Sequence, residues 1–264
     1  MQHARAARRS VLLALTLLSA CAASEPSSDN ATGPVSSGVI GNYLSGRYAL
    51  SEGDSQTAAN DLLKALAQNP DDQELTLQAF IASLDAGRPE AVKLARQLPD
   101  SQVAQLVLAD VDIKAGHWQA AEQRFHALPR QGMTQLLQPL LVAWAQQGDG
   151  RTDTALSTLR PYVENPRFRT VFALHAAMIA DLGDRKDEAA RLYRTTETDM
   201  SAPNLRLAQI LASWQARSGQ SGEAQRVLAS LSSVAPDLSI AMPGLLANVT
   251  KRPVPRAADG VAEA

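Results

Sequence analysis

Over residues 39–237 the apolar positions recur with a helical period, and the recurrence is itself repeated. Ala stands at Ala58, Ala91, Ala121, Ala155, Ala189 and Ala224, at intervals of 33, 30, 34, 34 and 35 residues. Four residues after each comes Leu62, Ala95, Phe125, Leu159, Tyr193 or Leu228, so each pair lies on one face of a helix. Four to six residues before each Ala stands a glycine: Gly53, Gly87, Gly116, Gly150, Gly183 and Gly219. Glycine there is expected to supply the positive φ that closes one helix before the next opens. The pattern predicts a hairpin of two helices repeated about six times, in which neither helix is stable alone. The small Ala lets the second helix approach the first, and Leu62 or Phe125 fills the gap to the next unit. Small residues at Gly46, Ala109, Ala143, Ala177 and Ala212 suit the first helices, with Phe80 interrupting the series in the short second unit. Pro70 and Pro236 are placed to stop second helices, because proline lacks the N–H and clashes with the preceding turn.

This arrangement resembles the tetratricopeptide repeat family, whose unit is about 34 residues long. The resemblance implies an all-α fold, an α-solenoid of about six tetratricopeptide-like helical hairpins in a right-handed superhelix, whose concave face of first helices binds peptides or partner segments. A plain helical bundle and a solenoid of longer repeats are the competing architectures, and the Gly-turn-Ala spacing speaks against both. With each turn glycine as register, the family's groove positions fall on Tyr43 and Arg47, Asp110 and Lys114, Trp144 and Gln147, Asp181, then Arg206, Gln209 and Arg217. Tyr43 and Trp144 read as rigid anchors, and the arginines as holders of carboxylates or carbonyls on an extended segment. Trp144 reads almost as readily as core between the third and fourth hairpins. The second unit, the Gly148-Asp149-Gly150 turn and the fifth unit depart from the pattern by about a residue.

Before the repeats, residues 1–10 carry three Arg and no acid, and Val11 to Ala20 form an apolar run ending at Cys21. That run is half of the roughly 20 residues that a membrane-spanning helix needs, and it has the architecture of a signal peptide. Leu18-Ser19-Ala20-Cys21 resembles the bacterial lipobox, which implies removal of residues 1–20, lipidation of Cys21, and attachment on the periplasmic side of the envelope. Ala22 in the following position fits sorting to the outer membrane. An ordinary secretory signal with an incidental Cys21 is the alternative. Residues 21–38 then read as a Ser/Pro/Gly tether, and residues 238–264 as a short cap helix with a disordered tail, or the opening of a further first helix at Ala257 to Ala264. Ile240 to Val249 is the stretch expected to pack on the last hairpin.

Composition narrows the chemistry. Aromatic residues make up 4% of the chain, so the core must be built from Ala and Leu. One cysteine excludes an internal disulfide and any multi-cysteine metal site. Loss of Arg5, Arg8 and Arg9 with the leader leaves 22 basic against 27 acidic residues, a balance that disfavours nucleic acid as a partner. Motifs for phosphate cradling, zinc hydrolysis and dithiol chemistry are absent, and His117, His126 and His175 read as satisfied or solvated side chains. Asp71-Asp72 and Asp187-Glu188 stand where carboxylates cap helix N-termini. The expectation is a protein-binding scaffold or adaptor of the bacterial envelope that catalyses nothing and needs neither cofactor nor metal. A glycan- or peptidoglycan-binding accessory module is the alternative.

Overall fold

A computed structural model describes residues 37–198, 204–251 and 253–254. The leader, Cys21 and residues 22–36 lie outside the described residues, as does the stretch Ala257 to Ala264. The described chain is all-helical: α1 (Ser37–Ser51), α2 (Ser55–Gln68), α3 (Gln73–Asp85), α4 (Glu90–Ala95), α5 (Gln102–Lys114), α6 (Trp118–Ala127), α7 (Thr134–Gly148), α8 (Thr152–Val163), α9 (Arg169–Leu182), α10 (Lys186–Thr198), α11 (Leu205–Arg217), α12 (Ser221–Val234), a 3-10 helix (Pro236–Ala241) and α13 (Met242–Thr250). Helices adjacent in sequence pack on one another, with α10 meeting α11 through the stacked Tyr193 and Trp214 rings, the arrangement of an α-solenoid. Since α1 starts at Ser37, helix begins two residues before the boundary expected for the array.

The tight turns after α1, α3, α5, α7, α9 and α11 share one construction. The end of each helix leaves its last carbonyls without an intrahelical partner, and the N–H groups of Asp54, Arg88, His117, Arg151, Arg185 and Gln220 reach back five residues to supply one, at 2.8–2.9 Å. Such a bond needs the preceding residue in the left-handed region. Gly53, Gly87, Gly116, Gly150 and Gly219 fill that place, but in the fifth turn it is Asp184 (φ 55°). The expectation that Gly183 does this job is therefore corrected: Gly183 has φ −85°. It is small for a different reason, because a Cβ there would come closer than 3.0 Å to the side chain of Thr152.

The repeated Ala positions are the close contacts between helices. Ala58, Ala91, Ala121, Ala155, Ala189 and Ala224, and the partners four residues on, are all buried. Gly46 packs on Leu62, where a Cβ would stand 2.7 Å from Cγ. Second helices start on local caps in some cases, as where Asp54 accepts from the N–H of Thr57 at 3.0 Å. Asp72 caps α3 through the N–H of Leu75 at the same distance, and Asp187 and Glu188 occupy the first turn of α10. Pro70 follows the end of α2, and Pro236 opens the 3-10 helix after α12.

At three of the interfaces an arginine ties a pair of helices to the one before. Directly after the left-handed residue stand Arg88, Arg151 and Arg185, which reach back to Asn60 on α2, Glu122 on α6 and Asp153 on α8. At the C-terminal end α13 closes the stack with Leu245 and Val249 buried. Ile240, expected to join that packing, is instead 90% exposed on the 3-10 helix.

Candidate functional site

The face shared by α1, α3, α5, α7, α9 and α11 carries the residues singled out by spacing. The structure brings six of them together in three pairs, Tyr43 with Arg47, Asp110 with Lys114 and Asp181 with Arg217. On α1 the Arg47 guanidinium donates to the Tyr43 hydroxyl at 2.9 Å and stands 5.8 Å from its ring centre. On α5 Lys114 pairs with Asp110 at 2.7 Å, both exposed, an arrangement of adjacent helical turns that contributes little to stability.

Two further links join equivalent helices one period apart. The indole N–H of Trp144 on α7 donates to Nδ1 of His175 on α9 at 3.0 Å, with the rings edge to face at 6.1 Å. Nδ1 as acceptor places the proton of the neutral imidazole on Nε2. Burial holds the His175 pKa below its ordinary value, and the positive charge of Arg206 on α11 adds to the effect. Trp144 is half-buried and packs on the main apolar cluster, so it is at once a wall of the core and a side chain of this face.

The second link is Asp181 on α9, gripped by both terminal nitrogens of Arg217 on α11 at 3.0 and 2.5 Å. The Tyr193 hydroxyl also donates to Asp181 at 3.4 Å, and the Tyr193 ring stacks on Trp214 at 4.8 Å. Arg217 is thus committed to an internal carboxylate, unlike the expected role of holding a partner's. Beside it lies an open cleft of about 370 Å³ lined by Asp184, Lys186, Asp187 and Trp214. Gln147 occupies on α7 the register that Asp181 has on α9, three residues before the left-handed residue. Its Oε1 is buried without a hydrogen-bond donor, because Leu182 stands where the next helix pair has Arg217. Gln209 is half-buried and Arg206 exposed on α11.

Spacing alone did not single out the most regular feature of the face. Ile40, Val103, Leu137 and Val171 are exposed apolar side chains, and each stands thirteen residues before the left-handed residue of its own turn, Gly53, Gly116, Gly150 and Asp184 respectively. Glu74 and Arg206 hold the same register on α3 and α11. His175 was likewise passed over as a satisfied histidine. The turn register finds the apolar column once apolar residues at helix starts are sought in it, whereas nothing in that register marks His175.

Among the described residues no three His, Cys, Asp or Glu side chains gather as a metal site would require, and no helix is long and apolar enough to cross a membrane. No protein-family model matches the chain, and no curated protein matches it in sequence. What the coordinates define is an all-α protein of consecutively packed helices with a polar and apolar face repeated along its first helices.

Proposed function

We propose that this protein is a non-catalytic scaffold or adaptor of the bacterial cell envelope, built as six tetratricopeptide-like hairpins and binding a partner segment along the face of its first helices. The observation that carries the reading is the register-locked column of Val103, Leu137 and Val171, exposed on the three successive first helices α5, α7 and α9. Isolated surface apolar residues need no explanation, but a column in one register is a contact surface. The polar groups beside it favour binding over catalysis, since the likeliest acid and base are already engaged: His175 accepts from Trp144 and Asp181 is held by Arg217. Lipidation of Cys21 on the periplasmic side of the outer membrane completes the reading and rests on the lipobox resemblance.

The test is crosslinking in intact cells followed by purification of the tagged protein and mass spectrometry. Wild type is compared with a Leu137→Ser, Val171→Ser variant whose helical signal and melting temperature are unchanged. Enrichment of one envelope protein that is lost in the variant supports the reading. Capture that is the same in both, or the absence of any specific protein, overturns the assignment of this face.

A further inference from the structure

α1 is apolar on two sides. Val39, Tyr43 and Leu50 pack into the cluster formed with α2, while Ile40, Leu44 and Tyr48, four residues apart, are 50%, 60% and 67% exposed. A helix that is apolar all round is ordinarily covered all round. The later helices show what meets the second side. The register of Tyr48, five residues before the left-handed residue, holds Ala82, Val111, Ala145, Ile179 and Trp214, none of them exposed, because the preceding helix pair lies over it. Among the described residues nothing precedes α1, whereas the other end of the stack is closed by α13.

We propose that the Ile40, Leu44 and Tyr48 face of α1 rests on the surface of the membrane that carries the chain's lipid anchor. The proposal builds on the lipidation of Cys21 put forward above. Residues 22–36, fifteen in all, separate Cys21 from α1. A fifteen-residue segment reaches about 50 Å fully extended and averages roughly 20 Å as a flexible chain, so the anchor holds α1 within that distance of the lipid. At the effective concentrations of about a millimolar that such short tethers create, weak apolar partitioning suffices. Those fifteen residues contain a single large apolar side chain, Val35, too little apolar surface to match a stripe of three. A second copy of the chain is a poor fit, because three side chains fall well short of the roughly 800 Å² per partner of a stable interface. Charge points the same way. α1 contains no carboxylate, and its one charged residue, Arg47, stands between Leu44 and Tyr48 in sequence without a carboxylate partner among the described residues. Anionic headgroups attract such a helix, and a tyrosine at its end suits the boundary between headgroups and acyl chains.

The test uses the full chain, expressed with its leader and reconstituted into vesicles of phosphatidylethanolamine and phosphatidylglycerol containing a photoactivatable phospholipid. After illumination, lipid adducts are mapped by mass spectrometry. Adducts are expected on the Ile40–Tyr48 segment, falling about tenfold or more in an I40S/L44S/Y48S variant that keeps its helical signal. A single Tyr48→Ser variant takes its place if the triple variant unfolds. Adducts confined to the N-terminal peptide overturn the proposal, as do α1-to-α1 protein crosslinks that grow with protein density and assign the stripe to a second copy. The same spectra report the mass of the Cys21 peptide. An unacylated Cys21 removes the anchor reading alone, because vesicle adducts on 40–48 are scored separately.

Discussion

Gly148, the last residue of α7, is where the packing model makes its sharpest demand. A Cβ there would come closer than 3.0 Å to three carbons of the Trp118 ring, whereas carbon pairs settle at about 3.5–4.0 Å. Overlap of at least about 0.5 Å at three ring atoms forces α7 or the indole to move, and overpacking of this kind costs about 1–3 kcal/mol. Against this, alanine restricts the unfolded chain and gains about 0.4–1 kcal/mol. Gly148→Ala is therefore expected to destabilise by about 1–2 kcal/mol in urea unfolding followed by circular dichroism. In a Trp118→Ala background the obstacle is gone, and the same change should be neutral or stabilising by up to about 1 kcal/mol, a coupling of about 2 kcal/mol. Gly53 provides the contrast: it has open space but φ 77°, so Gly53→Ala should cost about 1–2 kcal/mol whatever its neighbours are. Equal costs for Gly148→Ala with and without Trp118, or no cost at all, would refute the argument that close approach of α6 and α7 selects glycine there.

Acid should unfold the protein in two stages. Because the folded pKa of His175 is lowered by burial and by Arg206, the unfolded chain binds the extra proton first. Stability from this site is thus complete above about pH 6.5 and is lost as the pH falls below it; a His175→Leu variant should flatten the slope of urea midpoints between about pH 7 and 5. A second loss is expected below about pH 4.5, where carboxylates with lowered pKa protonate: Asp149 and Asp153, hydrogen-bonded by Arg151 and Arg185, and Glu122, for which Arg151 and Gln146 outweigh an opposing effect of burial. Arg217→Met removes the guanidinium from Asp181, which is 15% exposed, and should cost about 2–4 kcal/mol, much of it recovered by adding Asp181→Asn, as thermal melts would report. Buried Gln138 donates to the carbonyls of Phe125, His126 and Leu128 at the end of α6; Gln138→Leu should lower stability by about 1–3 kcal/mol and speed amide exchange in residues 125–131.

The helix pairs were legible because their determinants are local. A small residue is needed wherever two helices approach closely, so Ala58 and its five counterparts announce the buried seam without reference to anything distant, and the residues four places on follow by helical geometry. The turns were legible for the same reason, except where Asp184 replaces glycine: an aspartate tolerates the left-handed region poorly but measurably, and a glycine one residue away drew the assignment to itself. The interaction face was less legible because its chemistry depends on residues one period apart. Nothing about Arg217 alone says that Asp181, on the previous first helix, will occupy it, and nothing about His175 says that it will accept a hydrogen bond from Trp144. Ten side chains chosen by register therefore included some that face outward and some already spent on holding the stack together.

That division has a physical basis in the way a stack of helices is held. Each pair touches only its neighbours, so its stability is a sum of pair and interface contributions, and an unmatched register on one side of an interface remains unmatched. Gln147 illustrates this, since its buried Oε1 lacks a donor where Leu182 replaces the arginine of the next interface. The exposed apolar residues sort in the same manner. Val103, Leu137 and Val171 share a register along the stack, Ile40, Leu44 and Tyr48 lie on α1, the first described helix, Ile240 and Leu246 lie on the far cap, and Met133 stands alone before α7. Side chains left over from imperfect burial would fall at any register. Those that recur thirteen residues before the left-handed residue on α5, α7 and α9 are in positions that packing between neighbours does not require to be apolar, as Glu74 and Arg206 at the same register show, and this supports the partner segment proposed above. Leu44 and Tyr48 differ in kind, because no residue at their registers in the later pairs is exposed and, among the described residues, no helix pair lies over them on α1, which is the observation behind the membrane contact proposed above.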